Sequence, residues 1–330
     1  MEEDFWKNKK VLVTGGAGFA GSHLVEKLVS LGALVTVPIR TSESDTTFLH
    51  RVRKKINVIT ADLQDAKKCL NLTKGTDIVM HLAKVAKGLS YNKGRQGYIF
   101  NKNMIPFINV LEGARINGVE KFLTVSSACI YPRNCTIPTP EEEGFKDIPE
   151  ISNIGYGWAK RMYEFLSQTY AEEYGMKIAI ARPYNAYGPR DDFGDDAHAI
   201  PSIIKRVINN EDPLIIWGDG SQSRSFLYVD DLVDGLLLIT EKYPLADPIN
   251  LGNNEETTIK ELTELIVKLA GKKPKVIFDA AKPTGQRRRK CDTAKLENIL
   301  GFKAKVKLED GLRKTIEWYK NFYHVHELRS

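Results

Sequence analysis

The chain has 330 residues, 42% hydrophobic and 27% charged, ordinary for a folded protein and enough for one large domain plus a smaller lobe. Its net charge of +6 is too mild to argue for nucleic acid and would suit a small anionic substrate. The four cysteines, at 69, 129, 135 and 291, show neither metal-type pair spacing nor a disulfide framework. No signal-peptide pattern opens the chain and no apolar run approaches membrane-spanning length, so a cytoplasmic protein without a membrane partner is expected.

Lys10–Thr14 is a short β-branched run, the pattern of a buried parallel strand. It enters Gly15-Gly-Ala-Gly18-Phe19-Ala20-Gly21, and residues 22–31 follow with helical apolar spacing. Glycines at 15, 18 and 21 allow a tight turn and close backbone approach to a pyrophosphate, and the helix start offers N–H groups to its charge. A glycine pattern between strand and helix predicts a dinucleotide site at Gly15, Gly18, Phe19 and Ala20. The second strand, 33–39, ends in Arg40-Thr41-Ser42 with no acid for a ribose 2′-hydroxyl. The guanidinium of Arg40 suits a 2′-phosphate, which favours NADP while leaving NAD open. Asp62 follows a third strand at 56–60 and is placed at the adenine end, with Leu63 beside it.

Further strands are expected at 77–82, 121–126 and 177–181, and helices at 97–117, kinked at Pro106, and 153–174. This alternation predicts an α/β, doubly wound parallel sheet of the Rossmann type. Leu82, Ala83 and Lys84 after the fourth strand, and Asn103 on the first long helix, complete the cofactor candidates. Beyond residue 183, short strands at 214–217, 248–251 and 275–278 and helices at 259–269 and 308–319 predict a smaller lobe. The expected division is 1–182 for the dinucleotide and 183–330 for the substrate, with some later segments returning to the first domain.

Ser127 ends the fifth strand, where open α/β sheets bind ligands. Tyr156 and Lys160 lie one helical turn apart on one face. A phenol normally titrates near about 10. The Lys160 ammonium and a positively charged nicotinamide are expected to lower that value and make Tyr156 a general acid–base for a substrate hydroxyl. A Tyr and Lys at this spacing occur by chance in many helices. Ser127 and the glycine turn upstream give the pair its meaning.

In chain order, Gly15-xx-Gly18-xx-Gly21, His81-Leu-Ala83, Ser127, Tyr156-xxx-Lys160 and Arg182-Pro-Tyr-Asn185-Ala-Tyr-Gly-Pro189 resemble the extended short-chain dehydrogenase/reductases that act on nucleotide sugars. Residues 83–88, 126–132 and 187–201 are similar to the GDP-L-fucose synthases of that family. Residues 111–132 are nearly as similar to its GDP-mannose 3,5-epimerases, which place a Lys where this chain has His198. The resemblance implies an NAD(P)-dependent nucleotide-sugar epimerase/oxidoreductase and a homodimer built on the two long helices. Ser127, Tyr156 and Lys160 would form the catalytic triad. Cys129 and His198 would be an acid–base pair at carbons flanking a 4-keto group, acidified by that ketone. Lys87, Asn185, Arg190, Arg224, Lys282 and Arg288 would hold a nucleoside-diphosphate sugar, GDP-linked by preference. The Gln286–Lys290 run reads equally as a solvated charge run, and without interleaved aromatics it is poor support for nucleic acid.

Two departures matter. The family's 4,6-dehydratases carry Asp-Glu where this chain has Ala128-Cys129, which argues against elimination of water. Ser42 stands where a fucose synthase can offer a second Arg, which weakens NADP. A 4-epimerase with bound NAD would need only the triad. A non-catalytic dinucleotide-binding regulator would have no need of Tyr156 and Lys160 together.

Overall fold

A computed structural model of the chain describes residues 4–86, 89–92, 94–282 and 285–327; the expected substrate residue Lys87 lies outside them. Seven parallel strands form the central sheet, in the spatial order Leu245–Leu251, Ile178–Pro183, Lys121–Val125, Ile78–His81, Lys10–Thr14, Leu34–Ile39 and Asn57–Thr60. Both faces of Lys10–Thr14 are covered, so Val11, Leu12 and Val13 are all buried, as the unbroken apolar run predicts. The chain winds outward from this strand to Asn57–Thr60, then returns to start the other half at Ile78–His81. The register pairs Thr14 with His81, so the crevice between the two halves opens just beyond these residues, at Gly15 and Leu82.

The helix Phe19–Ser30 follows the first strand and buries Leu24, Val25 and Leu28. Gln96–Ile116 runs as a single helix with Pro106 inside it, and it packs beside Ile154–Tyr174. The segment expected at 248–251 in the smaller lobe belongs instead to the edge strand Leu245–Leu251 of the central sheet, parallel to Ile178–Pro183. Its apolar pattern marks a buried strand; only the partner decides which sheet receives it. The helix Val229–Lys242 covers the same region from beyond residue 183, burying Leu232, Leu236 and Leu237 in the main core.

A second core gathers Phe193, Ile204, Leu214, Leu262, Leu312 and Tyr319. It joins the helices Ala199–Ile208, Ile259–Ala270 and Leu308–Glu327 to the parallel strand pair Leu214–Trp217 and Val276–Asp279.

Candidate active site

Gly15 begins the phosphate turn with φ +71°, and a Cβ there would lie 2.8 Å from the Ala83 nitrogen. Only glycine suits that approach. Gly18 N donates to Gly15 O at 3.1 Å and closes the turn. Gly18 also precedes Phe19 and Ala20 as the helix N-cap without any side-chain cap, so the first N–H groups face outward to an anion. This cradle fits a dinucleotide pyrophosphate. Leu82 N and Ala83 N donate to Thr14 O (3.1 Å) and Oγ1 (3.2 Å), tying the following loop to the first strand.

Asn103 holds that loop from the other side. It accepts from Val85 N at 3.1 Å and donates to Val85 O and Ile99 O at 2.9 and 2.7 Å. Its side chain is thus committed to shaping the loop, and contact with cofactor is not its visible task. Arg40 is exposed just past Leu34–Ile39, with no acid at that strand end. Asp62 Oδ1 caps Gln64 N at 3.0 Å, and the Leu63 carbonyl accepts from Asn109. Lys84 is exposed, and its charge reaches Lys160 and His198.

Ile154–Tyr174 presents Tyr156, Lys160, Glu164 and Ser167 along one buried face. Gly157 lets that face approach the loop after Lys121–Val125: a Cβ there would sit 2.6 Å from the Cys129 carbonyl. Ser127 Oγ accepts from Cys129 N at 3.1 Å and is hydrogen-bonded to Tyr156. Lys160 Nζ donates to Val125 O at 2.7 Å and lies 4.0 Å from the Tyr163 ring centroid and 5.6 Å from that of Tyr156.

The protein groups around Tyr156 do not by themselves supply the expected lowering of its pKa. Burial pushes the phenol up, the Cys129 charge adds to this, and the Ser127 hydrogen bond only partly opposes it. The Lys160 ammonium is turned toward Val125 O and the Tyr163 face, and its own pKa is well below the ordinary value through burial and the Lys84 charge. Tyr156 therefore holds its proton, which makes it a donor.

A buried polar network, unforeseen from the sequence, fixes the triad from behind. Arg182 donates to both Glu164 oxygens, at 2.9 and 2.7 Å, and to Tyr131 OH at 2.9 Å; Ser126 Oγ also donates to Glu164. The readable signal was Glu164 at four residues from Lys160, on the core face.

Cys129 is partly exposed, and Arg289 Nη1 lies 3.9 Å from its sulfur. His198 is exposed and caps the start of the helix Ala199–Ile208. Burial, then Lys84 and Arg289, lower its pKa to about 4, with Asp192 opposing. Arg289 thus meets the Cys129 sulfur and its charge reaches His198, a relation the sequence reading missed. The expected residue Arg288 is instead exposed and ion-paired to Glu256, with bonds of 2.9 and 2.6 Å.

Arg190 departs most from expectation. It is buried and gives its guanidinium to Glu26, at 2.8 and 2.9 Å, and to Ser22, at 3.3 Å. It therefore clasps the dinucleotide helix and does not turn to a substrate. Arg224 donates to Ser223 O at 2.7 Å, and burial, then the Arg289 charge, lower its pKa to about 10. Two guanidiniums this close suit an anion between them. Asn185, at φ +32°, donates to Ser225 O at 2.7 Å, and Lys282 is exposed.

Fold and site define a dinucleotide-dependent enzyme of the extended short-chain dehydrogenase/reductase class. The chain belongs to the NAD dependent epimerase/dehydratase family, which it matches over residues 11–252. It is 31% identical to GDP-L-fucose synthase 1 of Arabidopsis thaliana, covering 95% of this chain and 94% of that protein. It is 32% identical to GDP-mannose 3,5-epimerase 1 of Oryza sativa subsp. japonica, covering 96% and 84%. Among solved structures, UDP-glucose 4-epimerase of Thermotoga maritima superposes with a TM-score of 0.86 at 30% identity, covering 95% and 99%.

Proposed function

We propose that the protein is a cytoplasmic 3,5-epimerase that also reduces C4, acting on a GDP-linked 4-ketohexose with NADP. The observation that carries this reading is Arg289: it contacts the Cys129 sulfur, and its charge also acts on His198. The charge of one guanidinium thus acts on both acid–base side chains. Asn185, Arg224 and Lys282, from the part of the chain beyond residue 183, supply the nucleotide-sugar site. Gly15, Gly18, Phe19 and Ala20 would hold the pyrophosphate of the dinucleotide and Arg40 its 2′-phosphate.

His198, neutral with its pKa lowered, accepts a proton from a ring carbon beside the ketone, and the electron pair moves onto the carbonyl oxygen as an enolate. The Cys129 thiol returns a proton to the opposite face, and Arg289 stabilises the thiolate left behind. The bound cofactor supplies hydride for C4. Tyr156 gives its phenolic proton to the C4 oxygen, which Ser127 holds in place.

Incubation with GDP-4-keto sugars and NADPH in heavy water tests this. Ring-deuterium uptake with NADPH consumption is expected. Cys129→Ser should lower uptake about 100-fold while sparing reduction, and Tyr156→Phe should do the reverse. Uptake and product stereochemistry unchanged in Cys129→Ser would remove the acid–base pair. The likeness to a UDP-glucose 4-epimerase favours a second reading, oxidation and re-reduction at C4 by the triad alone. Turnover of UDP-glucose without deuterium uptake would establish it.

A further inference from the structure

Residues 188–198 carry His198 on a loop pinned at several points. Arg190 sits at φ +69°, strained for a residue with a Cβ, and its bonds to Glu26 and Ser22 hold it there. His23 Nε2 meets Pro189 O at 2.9 Å, and Phe193 stacks in the second core 4.5 Å from Tyr319. Asp191, between these anchors, has little freedom. Its Oδ1 accepts from Asp192 N at 2.8 Å, while Oδ2 is buried without any hydrogen-bond partner. Such an oxygen is costly to leave unpaired, more so when ionised.

The charge that reaches it belongs to Lys84, on the loop after Ile78–His81. The same ammonium acts on Lys160 and His198, and Lys84 has no hydrogen-bond or ion-pair partner among the described residues. The remaining charges facing the two titrating groups are Asp192, toward both, and Arg289, toward His198.

We propose that Lys84 and Asp191 are a positioning pair for His198: the ammonium seats on the free Oδ2, bridging the two loops and setting both the placement of the imidazole and the charge around it. The inference rests on the acid–base role of His198 proposed above. Burial raises the Asp191 carboxyl to about 7, so the pair forms as pH rises through neutrality. Ionised Asp191 then offsets the Lys84 charge that otherwise disfavours an imidazolium at His198.

The test is an NMR titration of the histidine ring signals in the full-length protein, with His198→Gln assigning the resonance. The wild-type His198 signal should show an inflection near about pH 7 from Asp191, apart from its own titration. Asp191→Asn should abolish that inflection. Lys84→Met should move it upward and raise the His198 pKa by about one unit. In the deuterium assay both variants should lose about tenfold in kcat with KM little changed, and Lys84→Arg should restore activity. An identical His198 titration in the wild type, Asp191→Asn and Lys84→Met would overturn the pair. Undiminished ring exchange in His198→Gln would instead overturn the acid–base reading beneath it.

Discussion

Asp191 illustrates how a single buried group ties stability to pH. Its folded pKa, raised to about 7 by burial, stands above the about 3.9 of an unfolded Asp. The folded state therefore binds more protons between those values, and this residue subtracts stability as pH rises through that window. Asp191→Asn should raise the melting temperature more at pH 8 than at pH 5. An equal gain at both would show that the carboxyl does not titrate in this range. His198 behaves oppositely: with its pKa lowered to about 4, its neutral form persists well below the ordinary imidazole range. Residue identity made Cys129, Tyr156, Lys160 and His198 readable as candidates. Which of the neighbouring arginines turns inward was not readable. Arg288–Arg289 is a two-residue strand, so successive side chains point to opposite sides, toward Glu256 and toward Cys129. Sequence alone does not say which side faces the site.

Elements were the most legible scale. A strand of apolar β-branched residues, a glycine turn and a helix with apolar four-residue spacing can fold in few ways, and Lys10–Ser30 follows that pattern. Gly15→Ala should weaken dinucleotide binding at least tenfold, measured by calorimetry. Its Cβ would collide with the Ala83 backbone at a φ that side chains rarely adopt, a strain of about 1–3 kcal/mol before the clash is counted. Binding unchanged in that variant would remove the turn from the cofactor site. Helical periodicity likewise placed Tyr156 and Lys160 together on one face. It did not reveal the direction of the Lys160 ammonium, which depends on the Val125 carbonyl and the Tyr163 ring, supplied by a neighbouring strand and by the same helix's buried face.

At the scale of the molecule, the two long helices leave apolar side chains in solvent. Tyr98, Ile105 and Ile108 lie along one side of Gln96–Ile116, and Phe165 is half exposed on Ile154–Tyr174. If these helices form the homodimer that the family resemblance implies, Ile105→Glu with Phe165→Glu should give a monomer by sedimentation while secondary structure is kept. An unchanged mass would place any dimer elsewhere. The sequence by itself determined the α/β alternation, the glycine turn between first strand and helix, and the shared helix face of Tyr156 and Lys160, because these depend on local spacing and residue type. Tertiary structure alone decided that Leu245–Leu251 joins the main sheet, that Arg190 grips Glu26, and that Arg289 meets Cys129. Each joins residues distant in sequence, and no local pattern records which strand edge, carboxylate or thiol a folded chain brings alongside.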